Sequence, residues 1–327
     1  MRSSTGISPG KLILSGEHSV VKGAPAIAFA IDRFVATHIV PAESPPFKQL
    51  DFIKTSLDLR YHAFLKKSIT IKQVIEKPEA LIAYAVAQLK SYFDPENLNP
   101  GFAISSQTNL PVGCGMGSSA ALILSIHQAL QGAFEFILPE SAARELAIEA
   151  ENLIHGRSSG LDIAICQKGG MHQYDKGQLT EIPVTGFSAN LIHTGKPESS
   201  TGECVVQAGL YLTPAKVDEF SRVTHKMADA LAKEDSALVW NSIRENHRLL
   251  CDIGVVPARV KKMIEDIESA GGAAKICGAG SVVGENAGVV WVYGNAVNLY
   301  KQIAATYQAD WMGNVLLCPQ GAQSCQP

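Results

Sequence analysis

The chain has 327 residues, 46% hydrophobic and 18% charged, and 28 basic against 31 acidic side chains leave a net charge of −3. This is the composition of a folded protein with a sizeable core, which excludes disorder, collagen and coiled coil, and it offers no sequence-wide positive field to nucleic acid or an anionic bilayer. At roughly 100–200 residues per domain, the length fits two domains or one large one. Seven scattered cysteines without a Cys-x-x-Cys pair point to reduced thiols in a cytosol. No basic segment leads into an apolar run at the N-terminus, and Ala24–Ile31 is far shorter than the ~20 residues of a membrane helix, so the chain reads as soluble and cytoplasmic.

Leu12–Leu14 reads as a strand, Ser15-Gly16-Glu17-His18 as a turn and Ala26–Ile31 as a second strand, followed by a proline-rich loop at Pro41–Pro46. Leu81–Tyr92 has helical spacing, and Gly101–Thr108 reads as a strand. A glycine loop, Pro111–Ser119, then opens into good helix formers at Ala120–Leu130. Pro139 and Gly156 bracket a helix at Glu140–His155, and a short helix follows with Ser159 as candidate N-cap and Asp162 in its first turn. From about Phe187 come helical patterns at Pro214–Lys233, Ser236–Cys251 and Pro257–Ala270. A glycine-rich turn, a strand at Gly288–Tyr293, a helix near Ala296–Tyr307 and a strand near Val315–Cys318 complete the chain. Strands and helices mixed in two halves predict an α+β protein whose two lobes, 1–186 and 187–327, meet at a cleft.

Gly113-x-Gly115-x-Gly117-Ser118-Ser119 has what a phosphate needs: glycines that let the backbone approach, N–H groups that converge, and the positive end of a helix behind them. It is no Walker A motif, since no Gly-Lys-Ser/Thr ends it. Gly115–Ala120 also matches the dinucleotide fingerprint, with Glu135 at ribose distance, but Asn109-Leu110-Pro111 interrupts the strand that fingerprint requires, which favours a nucleoside triphosphate. Gly156-Arg157-Ser158-Ser159-Gly160 matches a nucleophile elbow, yet helical spacing precedes it where a strand belongs, and glycine and serine caps account for it.

Glu151 and Asp162 flank a glycine-bearing turn that lets both carboxylates face one cleft. Together they divide the tasks of a phosphoryl transferase: holding Mg²⁺ and positioning the attacking hydroxyl. Lys11 supplies the lysine that the glycine loop lacks. Glu17-His18 has no metal-site spacing and reads as a substrate-binding turn, while Gly278-Ala279-Gly280-Ser281 with Gly284 forms a second glycine turn.

Three separated motifs, Ser8–Val21 with its Pro-Gly-Lys and Gly-Glu-His, Leu110–Ala121 and Lys275–Gly280, stand in the order found in the GHMP kinases, which most of the chain resembles. Gly-Glu-His-x-Val-Val, with Gly23 and Ala26 after it, and Ser159-Gly160-Leu161-Asp162 look like the mevalonate kinase branch of that family. The resemblance implies a ribosomal-protein-like N-terminal lobe, a ferredoxin-like C-terminal lobe, and transfer of phosphate from ATP with Mg²⁺ to the primary hydroxyl of mevalonate. A homodimer is left open. On this resemblance Pro111, Gly113, Cys114, Gly115, Met116, Gly117, Ser118 and Ser119 wrap the triphosphate, Thr108 contacts the nucleotide, and Ser119 with Glu151 holds Mg²⁺. Asp162 takes or orients the hydroxyl proton, and Lys11 steadies Asp162 and the transferring group. Glu17, His18, Gly278, Ala279 and either Ser200 or Thr201 face the acceptor. The chain departs from the family in a third motif less dense in glycine and in Gly202-Glu203, where a basic residue is usual. His18, His193 and Lys196 are candidates by chemistry for meeting a substrate carboxylate. A phosphomevalonate or sugar kinase, or a catalytically silent nucleotide sensor, are the alternatives.

Overall fold

The computed structural model describes residues 2–41, 59–62, 84–85, 87–89, 91–92, 102–155 and 158–325. β1 (Ser4–Ser15) and the largely apolar β2 (Ala26–Pro41) are buried along most of their length and pair antiparallel, because both faces of this sheet are covered at its centre. β2 also pairs with β4 (Phe102–Thr108), and β4 with β3 (Leu59–His62). The hairpin of β5 (Met171–Asp175) and β6 (Gln178–Glu181) joins the inner end of β2. The last strand, β11 (Gln323–Cys325), returns to the free edge of β1 and gives the order β11-β1-β2-β4-β3.

Among the described residues this lobe carries α1 (Ser118–Phe134), α2 (Glu140–His155) and α3 (Leu161–Lys168), besides helical residues at 84–85 and 87–89. Helix α1 lies directly on β1. A Cβ at Gly6 would stand 2.0 Å from the Ser125 carbonyl oxygen, so this approach needs glycine. The other face of the sheet meets the C-terminal lobe, where Phe29 packs edge-on against Phe187 with ring centroids 5.0 Å apart and Phe187 in turn packs on Trp291.

The C-terminal lobe is an antiparallel sheet in the order β10 (Asp310–Leu316), β7 (Ser188–His193), β9 (Val289–Tyr293), β8 (Ala273–Ile276). Helices α4 (Thr201–Tyr211), α5 (Pro214–Ala232), α6 (Ser236–Asp252), α7 (Ala258–Ser269) and α8 (Val297–Thr306) accompany it. A buried cluster including Phe220, Ile264, Val290 and Tyr300 holds this lobe together, and a second cluster, with Phe29 and Trp291, spans both lobes. The α+β expectation holds, although residues 323–325, expected in the second lobe, join the first sheet through β11.

Several expectations need adjusting. The strand expected near Val315–Cys318 runs instead over Asp310–Leu316, where pairing with β7 absorbs Gly313 (φ +84°) as an irregularity in the register, and β11 was not anticipated. Short β5, β6 and β7 and helix α4 were not anticipated, because brief mixed segments carry little periodicity. In the expected helix at Leu81–Tyr92, residues 84–85 and 87–89 are helical, and the rest of that segment beyond 91–92 lies outside the described residues. The proline-rich loop, apart from Pro41 at the end of β2, also lies outside them, as does the Gly156 cap.

Candidate active site

The glycine loop runs from Pro111 to the start of α1, with Gly113, Gly115 and Gly117 at φ +75°, +89° and +71°. Gly115 is required by a neighbour as well as by its conformation: a Cβ there would lie 2.6 Å from the Cys277 carbonyl oxygen and 3.2 Å from the Gly278 Cα. The C-terminal glycine turn therefore braces the loop from behind. The Val289 amide, which donates to the Cys114 carbonyl at 3.2 Å, adds a second brace. Cys114 Sγ pairs with His193 Nε2 at 3.1 Å, and burial pushes its thiol pKa up.

Lys11 enters from β1 beneath this loop. Its amide donates to the Met116 carbonyl at 3.0 Å, and its buried Nζ donates to the Gly115 carbonyl at 3.2 Å and to Asp162 Oδ2 at 2.9 Å. Asp162 stands in the first turn of α3, partly open to the cleft. Glu151, near the end of α2, is buried and accepts a short hydrogen bond from Ser158 Oγ. Burial first, and then the Asp162 charge, raises the Glu151 pKa to about 8, although Ser158 and Lys11 pull it down. Ser158 was not anticipated as a partner. Its hydroxyl also accepts from the Gly160 amide at 3.0 Å and so ties Glu151 to the turn before α3.

A cavity of about 140 Å³ lies against this group, walled by Lys11, Glu17, His18, Glu151, Asp162 and Thr201, with Gly278 and Ala279 from the other lobe. Through Val20, Val21, Ser158 and Ser159 it adjoins a second cavity of about 550 Å³ that carries Lys22 and Lys176. His18 sits at φ +60°, and its Nε2 is 3.0 Å from the Ala279 carbonyl oxygen. A carbonyl only accepts, so Nε2 carries the proton. Burial lowers the His18 pKa to about 4. Glu17 is buried against Lys275, and burial raises its pKa.

The structure redistributes some expected roles. His18, neutral near pH 7, supplies no charge for a substrate carboxylate. His193 is turned to Cys114, and Lys196 approaches Gly113, so neither lines the acceptor cavity. The N-cap of α3 is Gly160 in the left-handed region rather than Ser159, because Tyr174 and the Leu161 amide hold Ser159 in the preceding turn. Of Ser200 and Thr201, only Thr201 reaches the cavity. Ser200 caps α4 in a reciprocal box with Glu203, which accounts for the acidic residue at that position.

Thr108 donates to the Phe34 carbonyl and lines a separate cavity of about 210 Å³ on the sheet. Ser119 occupies the first turn of α1, directly after the glycine loop. The sparse third motif is held by serines: Ser281 Oγ accepts from the Ser199 amide at 3.0 Å, and Ser199 Oγ accepts from the Val282 and Val283 amides at 3.1 and 3.2 Å. Lys275 had no assigned role. A lone lysine in an otherwise apolar strand, Ala-Ala-Lys-Ile, was the available signal.

A glycine loop at a helix N-terminus, facing a Lys–Asp pair and a buried glutamate across an interlobe cavity, is an arrangement suited to phosphoryl transfer to a small molecule. Residues 80–170 match the family model "GHMP kinases N terminal domain". The chain is 29% identical to a mevalonate kinase of Thermococcus sibiricus, covering 84% of this chain and 85% of that one. Among solved structures, mevalonate kinase of L. major in complex with R-mevalonate superimposes with a TM-score of 0.71 at 20% identity, covering 98% and 99% of the two chains. Galactokinase of Lactococcus lactis complexed with galactose superimposes with a TM-score of 0.73 at 16% identity, covering 98% and 95%. Residues 80–170 thus resemble the N-terminal domain of the GHMP kinases, and the whole chain shares the fold of these solved kinases.

Proposed function

We propose that this chain is a mevalonate kinase, which transfers the γ-phosphoryl group of ATP to the primary hydroxyl of mevalonate. The observation that carries the reading is the Lys11–Asp162 pair, 2.9 Å apart, where the phosphate loop meets the acceptor cavity. The mevalonate kinase relatives, similar over 84% of the chain, supply the acceptor.

Asp162 accepts a hydrogen bond from the attacking hydroxyl, fixes its direction and receives its proton as the bond to phosphorus forms. Lys11, paired with Asp162 and bonded also to the loop at Gly115, counters negative charge at the junction of donor and acceptor. Gly113–Ser119 and the N-terminus of α1 hold the phosphates through backbone N–H groups.

Glu151 tests the fit of a divalent cation. It is a buried carboxylate beside a second carboxylate, with only a share in Lys11 for compensation, and its raised pKa reports that deficit. Among the described residues no cluster of three or more His, Cys, Asp or Glu side chains is placed to hold a metal alone. That suits Mg²⁺, which binds through one or two protein oxygens and substrate phosphates. Glu151 and the Ser119 hydroxyl would hold it, and when bound it neutralises phosphate charge.

The cavity bearing Lys22 and Lys176 suits an acceptor with an anionic end, since neither lysine is engaged in an ion pair among the described residues. Among the described residues six cysteines are free, in agreement with a reducing, cytoplasmic setting. Among the described residues no helix is long and apolar enough to cross a membrane.

Coupled ADP release with Mg²⁺-ATP and mevalonate, phosphomevalonate, galactose, homoserine or no acceptor tests the reading. Turnover confined to mevalonate supports it. Preference for another acceptor reassigns the substrate, and silence with ATP still bound leaves a nucleotide sensor.

A further inference from the structure

The Gly-Glu-His turn belongs to the N-terminal lobe and the Cys277–Gly280 turn to the C-terminal lobe, yet one ammonium group joins them. Lys275, in β8, is fully buried. Its Nζ donates to Glu17 Oε1, to the Ile13 carbonyl at 3.3 Å and to the Ile276 carbonyl at 2.7 Å. An ammonium has three N–H donors, so all are used, two of them across the lobe boundary.

A buried ion pair is weak evidence for stability, because apolar side chains of similar volume often serve as well. Its location says more. The Ile276 carbonyl is at the root of the turn whose Gly278 backbone braces Gly115 and whose Ala279 carbonyl accepts from His18. Glu17 immediately precedes His18, and its second oxygen, Oε2, is buried without a partner, so among side chains Lys275 alone orients this carboxylate. Lys275 itself does not line the acceptor cavity.

We propose that Lys275 is a positioning residue for phosphoryl transfer. By holding Glu17 it sets the acceptor wall at Glu17–His18 and registers that wall against the C-terminal turn, without touching either substrate. The proposal rests on the kinase reading above, which turnover by the wild-type protein tests separately.

The test is steady-state kinetics and thermal unfolding on Lys275→Met, Glu17→Ala and the double variant. Each single substitution is expected to lower kcat/KM for the acceptor about tenfold or more while the KM for ATP stays within about twofold. If Lys275 acts through Glu17, the double variant falls within about twofold of Glu17→Ala alone, since the carboxylate it oriented is already gone. Should Lys275→Met fail to fold because it leaves Glu17 buried and unpaired, the double variant buries no charge and still permits the comparison with Glu17→Ala. A folded Lys275→Met with wild-type acceptor kinetics overturns the proposal, as does a double variant well below Glu17→Ala. A wild-type protein that releases no ADP with any acceptor counts against the kinase reading instead.

Discussion

Lys11 Nζ lies 2.9 Å from Asp162 Oδ2 and 3.2 Å from the Gly115 carbonyl oxygen, so one ammonium touches both the carboxylate proposed to face the acceptor and the backbone proposed to wrap the phosphates. Neutralising Asp162 removes the acceptor for the hydroxyl proton but leaves the glycine loop intact. Asp162→Asn is expected to lower kcat by about 10²–10⁴-fold with ATP affinity nearly unchanged. Single-turnover rates and equilibrium ATP binding check this, and an unchanged kcat removes Asp162 from the mechanism.

Glu151 is held in place by Ser158 and is short of positive charge. Glu151→Gln keeps the shape and removes the charge, so the Mg²⁺ concentration for half-maximal rate should rise at least roughly tenfold. Superimposable Mg²⁺ titrations of wild type and variant would exclude Glu151 as a ligand.

Gly115→Ala places a Cβ 2.6 Å from the Cys277 carbonyl in a left-handed backbone. The left-handed conformation alone costs roughly 1–2 kcal/mol, and the contact forces the loop off the C-terminal turn. The KM for ATP should rise about tenfold or more. A variant with normal ATP kinetics would show that the brace is not needed for nucleotide binding.

Lys22 and Lys176 are exposed at the second cavity, where each ion pair contributes roughly 0.2–1 kcal/mol. A Lys22→Gln, Lys176→Gln variant should show a several-fold higher KM for mevalonate, an effect that shrinks at high salt and is missing with the uncharged triol that lacks the carboxylate. Equal losses for acid and triol would show that these lysines do not meet the charge.

His127, within α1, is buried, and neither ring nitrogen has a hydrogen-bond partner. Desolvation lowers its pKa from 6.5 to about 4. Between these values the unfolded chain binds more protons, so stability is full above about pH 6.5 and falls as pH drops toward 4, by up to roughly 3 kcal/mol from this group. His18 and His247, also lowered to about 4, act in the same direction. Urea unfolding near pH 7.5 and pH 5 should show the loss, and His127→Leu should diminish it. An equal loss in the variant would assign the effect to other groups.

The phosphate loop was legible in the sequence because its conformation admits few residues: positive φ at Gly113, Gly115 and Gly117 appears directly as glycine spacing before a helix. The partnership of Lys11 with Asp162 was suggested by family resemblance and not by local pattern, since β1 and α3 are brought together only by packing on one sheet. Ser200 and Thr201 were indistinguishable because a serine that caps a helix and one that faces a ligand look alike until the helix is seen. The third motif resembled a weakened glycine turn, and its support comes from Ser199, on a segment whose approach no spacing reveals. Lys275 was visible as a residue but not as a contact, because its partners lie in the other lobe.

The return of β11 to the edge of β1, with Thr5 opposite Cys325 and Ile7 opposite Gln323, bears on how the molecule is made. During synthesis from the N-terminus, the amides and carbonyls of β1 at Thr5–Ile7 stay unpaired until residues 323–325 have emerged. The first sheet is thus closed only by residues about 300 positions further along, and a variant that lacks 323–325 carries an open sheet edge, on which a neighbouring molecule can add a strand.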